Sequence, residues 1–312
     1  MDKARIAKAF GKIVSLVSIG FIIFSIFKLG LDFSFVNNLP LFITVVICGV
    51  IIKLLSLWLS ATSWTTWLAF LSKQTFNKNS ARNVFIRANI GKYVPGNVMH
   101  FVQRNLFASD MGIGQMQLAM ASIIEIASYV FVAFAIALIT ESNELATVFQ
   151  SYFFTRMPVL CFFVICGFIL FIGLIVFFRK KITFFLANYK FHDFVKTLVI
   201  VMLLQIFILT MLGFVLVLLV LYAQGKTSLH IIETVLSTYI LSWVLGYIVP
   251  GASGGIGIRE MSLLLLLGPI LGNSLVLSLS IVHRLITIVG DFLGYLIASI
   301  QYKRNIGNFS NV

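Results

Sequence analysis

Val249-Pro250-Gly251-Ala252-Ser253-Gly254-Gly255-Ile256-Gly257-Ile258-Arg259-Glu260 cuts through an apolar stretch running from about residue 231 to 271. A second break, Gly91-Lys92-Tyr93-Val94-Pro95-Gly96-Asn97, divides the apolar region at about 84–107. Their Pro-Gly pairs stand 155 residues apart in a chain of 312. Helix-breaking residues between apolar segments mean irregular backbone at membrane depth. Such backbone survives only where protein or water satisfies its polar groups. Breaks that recur at matching positions of two halves are the best sequence pointer to a transporter's binding site.

Composition sets the frame for these breaks. The chain is 60% hydrophobic with a mean hydropathy of +1.05, which excludes a soluble globular protein. Several runs reach the roughly 18–20 apolar residues needed to cross a bilayer. Lys3, Arg5, Lys8 and Lys12 followed by the apolar run 13–27 imitate a signal peptide, but no small-x-small cleavage site follows. An uncleaved first helix is the expectation. The net charge of +13 comes with no basic block, so nucleic acid is not an expected partner. Cys48, Cys161 and Cys166 sit in apolar runs without metal-ligand spacing and read as small packing residues. No cofactor or metal is expected.

Six stretches read as full crossings: about 10–27, 41–60, 115–139, 157–178, 197–222 and 274–300. With a cytoplasmic N-terminus and each broken region returning to its own side as a re-entrant hairpin, positive charge sorts cleanly. Lys3, Arg5, Lys8, Lys12, Lys73, Lys78, Arg82, Arg179, Lys180, Lys181, Lys190, Lys196, Lys303 and Arg304 fall inside. Only Lys28, Arg156 and Lys226 fall outside. Reading both breaks as kinked crossings instead would carry five cations outward, so hairpins satisfy the positive-inside rule better. Each half then holds two crossings, a hairpin and one more crossing. Crossing two begins 54 residues before Pro95, and crossing five begins 53 before Pro250. Three crossings per half invert the second half relative to the first. The expected fold is an all-α polytopic membrane protein, one domain over 1–312. Its six crossings and two re-entrant helical hairpins form an inverted repeat with halves of about 1–150 and 151–312. Both termini are expected in the cytoplasm.

Charged groups in hydrocarbon cost about 2.5–3.5 kcal/mol each on insertion scales, so each needs a reason. The intramembrane set holds six cations, Lys53, Arg87, Lys92, Arg104, Arg259 and Arg284, against Glu125, Glu260 and Asp291. A purely structural set of ion pairs would come closer to balance, and the surplus suits an anionic guest. Second arms beginning near Asn97 and near Gly257 would aim free N–H groups and positive dipole ends at the centre. Gly254, Gly255 and Gly257 would let backbone approach a ligand closely. Plainer readings stand beside these. The breaks also serve as tight turns, Glu125 pairs equally well with Arg104 or Arg284, and Arg87 and Lys53 are placed to snorkel. Next to Arg284, His283 is a candidate proton relay. Gly268-x3-Gly272 and Gly290-x3-Gly294 read as close helix-packing sites.

The first motif, Gly91 to Asn97 followed by His100 and Arg104, resembles that of the lysylphosphatidylglycerol synthase transmembrane-region family, also called flippase-like domain proteins. Pro250-Gly251, Gly254-Gly255-Ile256-Gly257 and Arg259-Glu260 resemble its second motif. Glu125 and Arg284 stand where that family tends to place a Glu in crossing three and an Arg in the last crossing. The resemblance spans essentially the whole chain and implies a lipid-translocating domain. No soluble synthase domain accompanies the sequence, so aminoacyl transfer is not expected. Ala252-Ser253 before the glycines and Asp291 in the last crossing depart from the family pattern.

The candidate substrate-binding set is therefore Lys92, Tyr93, Asn97, Arg104, Glu125, Gly254, Gly255, Gly257, Arg259, Glu260 and Arg284. Lys92, Arg104, Arg259 and Arg284 would take a phosphate, and Glu125 would position an arginine or exchange a proton. The expected function is a non-enzymatic flippase for an anionic, phosphate-bearing lipid (a phospholipid or a polyprenyl-linked sugar) in a bacterial cytoplasmic membrane. A membrane-embedded transferase on a lipid-linked sugar, a small-solute carrier and a non-transporting scaffold stay open, as does a homodimer. The abundance of Ile, Phe, Lys and Asn fits an AT-rich bacterial genome.

Overall fold

The computed structural model describes Ile23, residues 26–28, 30–94, 98–108, 111–139, 189–225, 228–248 and 253–309. Regular structure among the described residues is entirely helical. Eight α-helices follow in order: α1 (Leu39–Ser72), α2 (Lys78–Asn89), α3 (Met99–Ala108), α4 (Gln115–Ile139), α5 (Phe191–Gln224), α6 (Leu229–Ile248), α7 (Ile258–Leu271) and α8 (Asn273–Phe309). A 3-10 turn, Ile90–Tyr93, ends α2, and another, Ser253–Gly255, precedes α7.

Five of these helices, α1, α4, α5, α6 and α8, are long and apolar enough to cross a membrane. The protein is a multi-pass membrane protein. Each of α1 and α5 has 34 residues, about 51 Å at 1.5 Å per residue against a hydrocarbon core of about 30 Å. The expected crossings 41–60, 115–139, 197–222 and 274–300 lie within α1, α4, α5 and α8. Crossing 157–178, and crossing 10–27 apart from Ile23, Ile26 and Phe27, lie outside the described residues. Pro95, Gly96, Asn97 and residues 249–252 also lie outside them.

Local sequence explains the helix limits. Asn38 opens α1, its Oδ1 accepting from Leu41 N–H at 3.1 Å, with Pro40 in the first turn where no N–H is needed. Lys73, at φ 53°, closes α1 in the left-handed region. Asn77 caps α2 by accepting from the N–H groups of Asn79 and Ser80. At α7 the Glu260 carboxylate reaches back to Gly257 N–H at 2.7 Å.

The two broken regions differ in proportion. In the first, α2 has 12 residues and α3 has 10, and neither matches the thickness of a bilayer. In the second, α6 has 20 apolar-rich residues and α7 only 14. The reason is visible in the residues: nothing interrupts Leu229–Ile248 until Pro250, which cannot continue a helix and biases the residue before it away from helical backbone. Within each region the arms pack on one another, α2 on α3 and α6 on α7.

Packing joins the regions into one bundle. Along its length α1 lies on α5, and α8 packs against α1, α2 and α7. Lipid is as apolar as leucine, so close backbone approach matters more here than apolar burial. Gly290 and Gly294 of α8 supply it. A Cβ on either would sit 2.5 Å from a side-chain carbon of Lys53 or Leu57 on α1. Gly268 abuts Asn273, whereas Gly272 caps α7 at φ 92° with open space around it. Of the two small-residue pairs, only Gly290–Gly294 is an interhelical seam. Large apolar residues face outward along α1 (Leu41, Ile47, Ile51, Leu55) and α8 (Leu285, Phe292, Leu296, Ile300), as lipid contact requires.

Candidate functional site

The two 3-10 turns touch each other, and α8 passes against the first of them. Sequence elements roughly 160 residues apart thus meet at one junction. A Cβ on Gly254 would stand 3.4 Å from the Tyr93 ring, and the Arg284 guanidinium donates to the Gly254 carbonyl at 2.8 Å. Gly254, Gly255 and Gly257 have φ values of 58°, 76° and 87°, which side chains with a Cβ rarely adopt. The break is written in glycine because its backbone runs left-handed at three of four positions.

Arg259 shows a second use of glycine. Its side chain threads between Gly246 of α6 and Gly255 of the turn. A Cβ on Gly246 would lie 2.6 Å from Arg259 Cγ, and one on Gly255 would lie 2.7 Å from its Nε. The guanidinium faces the Trp243 ring at 5.5 Å. Its Nε is buried without a hydrogen-bond partner, and no carboxylate pairs with it among the described residues.

Asp291 of α8 is the anionic centre of the junction. The carboxylate is 1% exposed. One oxygen accepts from Asn89 Nδ2 at 2.8 Å and faces Lys53 Nζ at 3.1 Å. The other accepts from Tyr93 Oη at 2.7 Å and faces Lys92 Nζ at 2.6 Å. An isolated buried carboxylate would be prohibitive, but one holding two cations and two neutral donors is fully satisfied. Close by, Glu260 sits 3.7 Å from Arg284 Nε while its other oxygen caps α7. Around the junction, among the described residues, four cations, Lys53, Lys92, Arg259 and Arg284, face two carboxylates, Asp291 and Glu260, which leaves two positive charges over.

Arg104 and Glu125 form a separate pair. Arg104 Nη1 reaches Glu125 Oε2 at 2.8 Å, both side chains buried. The guanidinium is flanked by the rings of Phe85 at 3.7 Å and Phe101 at 5.3 Å. Gln205 of α5 donates to the Glu125 carbonyl and to Ser128, joining α4 to α5. Among the described residues no hydrogen bond or ion pair links this unit to Asp291.

Of the predicted site residues, Lys92, Tyr93, Gly254, Gly255, Gly257, Arg259, Glu260 and Arg284 gather around the two turns. Arg104 and Glu125 satisfy one another instead, and Asn97 lies outside the described residues. Sequence reasoning leaves Asp291, Lys53, Asn89, Trp243 and Gly246 out of the site. Lone charges in crossings two and six are the available signal for Asp291 and Lys53. His283 bonds the Leu212 carbonyl at 3.2 Å and packs on the Tyr239 ring, and among the described residues no carboxylate pairs with it. Arg87 lies over the rings of Tyr302 and Phe107 at 4.1 and 5.0 Å. Among the described residues no three His, Cys, Asp or Glu side chains cluster. Comparison with known protein families, with characterised proteins and with solved structures gives no match to this chain.

Proposed function

We propose that this protein is a flippase that carries an anionic, phosphate-bearing lipid across the bacterial cytoplasmic membrane. The two broken regions act as re-entrant hairpins of an inverted repeat, the second reaching more deeply on its longer arm α6, with their turns meeting inside the membrane, and both termini are cytoplasmic. The head group binds at the tips while the tails remain in lipid. Alternating access comes from rocking one half against the other. The observation that carries this reading is the charge count at the junction among the described residues: two positive charges in excess, one of them an arginine held in a slot of two glycines without a carboxylate. A buried cation is expensive, and an incoming phosphate would repay its cost with charge-assisted, bidentate hydrogen bonds. The likeness of both motifs to those of flippase-like domain proteins supports the same assignment.

Native mass spectrometry of the full chain in mild detergent tests it. Wild type is expected to retain a specific anionic lipid that Arg259→Ala loses while still inserting and folding. Bulk lipid held equally by both proteins would refute the assignment of the site. Retention of inorganic phosphate rather than lipid would point to a small-solute carrier.

A further inference from the structure

A cavity of about 550 Å³ lies away from the junction, between α1, α2 and α8. Its size falls within the roughly 300–1,000 Å³ of sites that enclose ligands the size of a lipid head group and the start of its tails. Leu54 and Leu57 of α1 and Ile297 and Ala298 of α8 give it apolar walls. Arg82 and Asn83 of α2 give it a polar one. Two of its lining residues, Trp58 and Ile297, are 47% and 49% exposed and continue the lipid-facing belts of α1 and α8. The opening therefore faces the bilayer sideways.

Arg82 is held for use at this opening. Its Nη1 donates to Asn79 Oδ1 at 2.8 Å, and its guanidinium lies over the Trp58 ring at 5.1 Å. Its Nε is buried and has no partner. No carboxylate neutralises it among the described residues. Asn79, Arg82, Asn83, Ile86 and Asn89 share one face of α2 by helical spacing. That mostly polar stripe starts at the cavity and ends at Asn89, which donates to Asp291. The inner wall agrees: Leu57 packs at Gly294, and one turn further in Lys53 packs at Gly290 and pairs with Asp291.

We propose that this groove is a lateral portal through which the phosphate head group of an anionic membrane lipid passes between the bilayer and the junction. Arg82 is its first contact, and the stripe on α2, closed at its inner end where Leu57 and Ile86 meet Gly294, is its path once the halves move apart. On the orientation expected from positive charge, the portal opens to the cytoplasmic leaflet. The proposal rests on the flippase reading for its destination, while binding in the groove itself is separately observable.

The test uses the full chain in nanodiscs doped with phosphatidylglycerol carrying a diazirine near its glycerol backbone, with adducts mapped by peptide mass spectrometry. Adducts are expected to concentrate on the peptides containing Trp58 and Ile297. Arg82→Gln should lower them about five-fold or more, the loss of one charge-assisted contact. Arg82→Lys should restore part of the signal. Labelling spread evenly over the lipid-facing helices would overturn the proposal, as would labelling indifferent to Arg82→Gln. A diazirine phosphatidylcholine that labels the groove equally well would also overturn it. If the groove fails while Arg259→Ala still sheds a specific lipid, the portal falls and the flippase reading stands. If the groove labels as expected and no lipid depends on Arg259, the groove stands as a lipid site and the junction assignment falls.

Discussion

Replacing Asp291 by asparagine removes the junction's central negative charge without changing its shape. In the native junction one carboxylate serves Lys53, Asn89, Lys92 and Tyr93 at 2.6–3.1 Å. An asparagine oxygen can serve donors on one side only. Its amide group turns N–H donors toward the other side, where a lysine and a neutral donor already point inward. At least one lysine is then stranded in a site where Asp291 is 1% exposed. Breaking a buried ion pair by removing one partner costs about 3–5 kcal/mol, so Asp291→Asn should lose that much stability. Removing the stranded cation should recover part of it: adding Lys53→Met to the Asp291→Asn variant restores about 2 kcal/mol or more, near the insertion cost of one lysine. Equilibrium unfolding in mixed micelles, followed by tryptophan fluorescence, measures both steps. Asp291→Asn within about 1 kcal/mol of wild type, below any buried pair, would refute the counter-ion role. A double variant less stable than the single one would refute it too.

Three further substitutions separate the junction from the scaffold. Gly255→Ala places a Cβ 2.7 Å from Arg259 Nε at a φ of 76°, so it should expel the arginine and abolish lipid retention in native mass spectrometry. Gly246→Ala crowds the same side chain from helical backbone and should reduce retention with a smaller stability loss, within about 1–3 kcal/mol. Glu125→Gln strips the Arg104 guanidinium of its partner and should destabilise the protein by about 3–5 kcal/mol, measured by the same unfolding assay, while lipid retention at the junction persists.

Much of the fold is legible in the chain because membrane helices announce themselves by length and apolarity. The apolar runs behind α1, α4, α5 and α8 can be counted directly. The breaks are equally plain, since three glycines near Arg259 have no other purpose than unusual backbone or close approach. Pairing is a different matter. Lys53 and Asp291 are 238 positions apart, and whether they meet depends on the depth and rotation of α1 and α8, which no hydropathy count contains. The choice of Arg104 over Arg284 for Glu125 is hidden for the same reason. Gly246 reads as an ordinary residue in Leu245-Gly246-Tyr247 until α7 is folded back along α6. The length of α6 is countable from Leu229 to the break at Pro250.

The junction also explains why its charges are not simply neutralised by one more carboxylate. In this conformation the two turns are closed on each other, with Tyr93 against Gly254 and Arg284 on the Gly254 carbonyl. The Tyr93 ring and the Gly254 carbonyl in these contacts are neutral partners. Neutral partners release a cation at modest cost, about 1.5–3 kcal/mol for a hydrogen bond to a charged group. A dedicated carboxylate would hold it far more tightly, as Glu125 holds Arg104 between aromatic rings. On the transport reading the difference is functional. Arg104 is locked because it builds the bundle, whereas Arg259 rests on the Trp243 ring, with no carboxylate among the described residues, where a phosphate can reach it. On the same reading Asp291 has its place, since it holds Lys53 and Lys92 inside the membrane and leaves Arg259 as the cation that would answer a lipid phosphate.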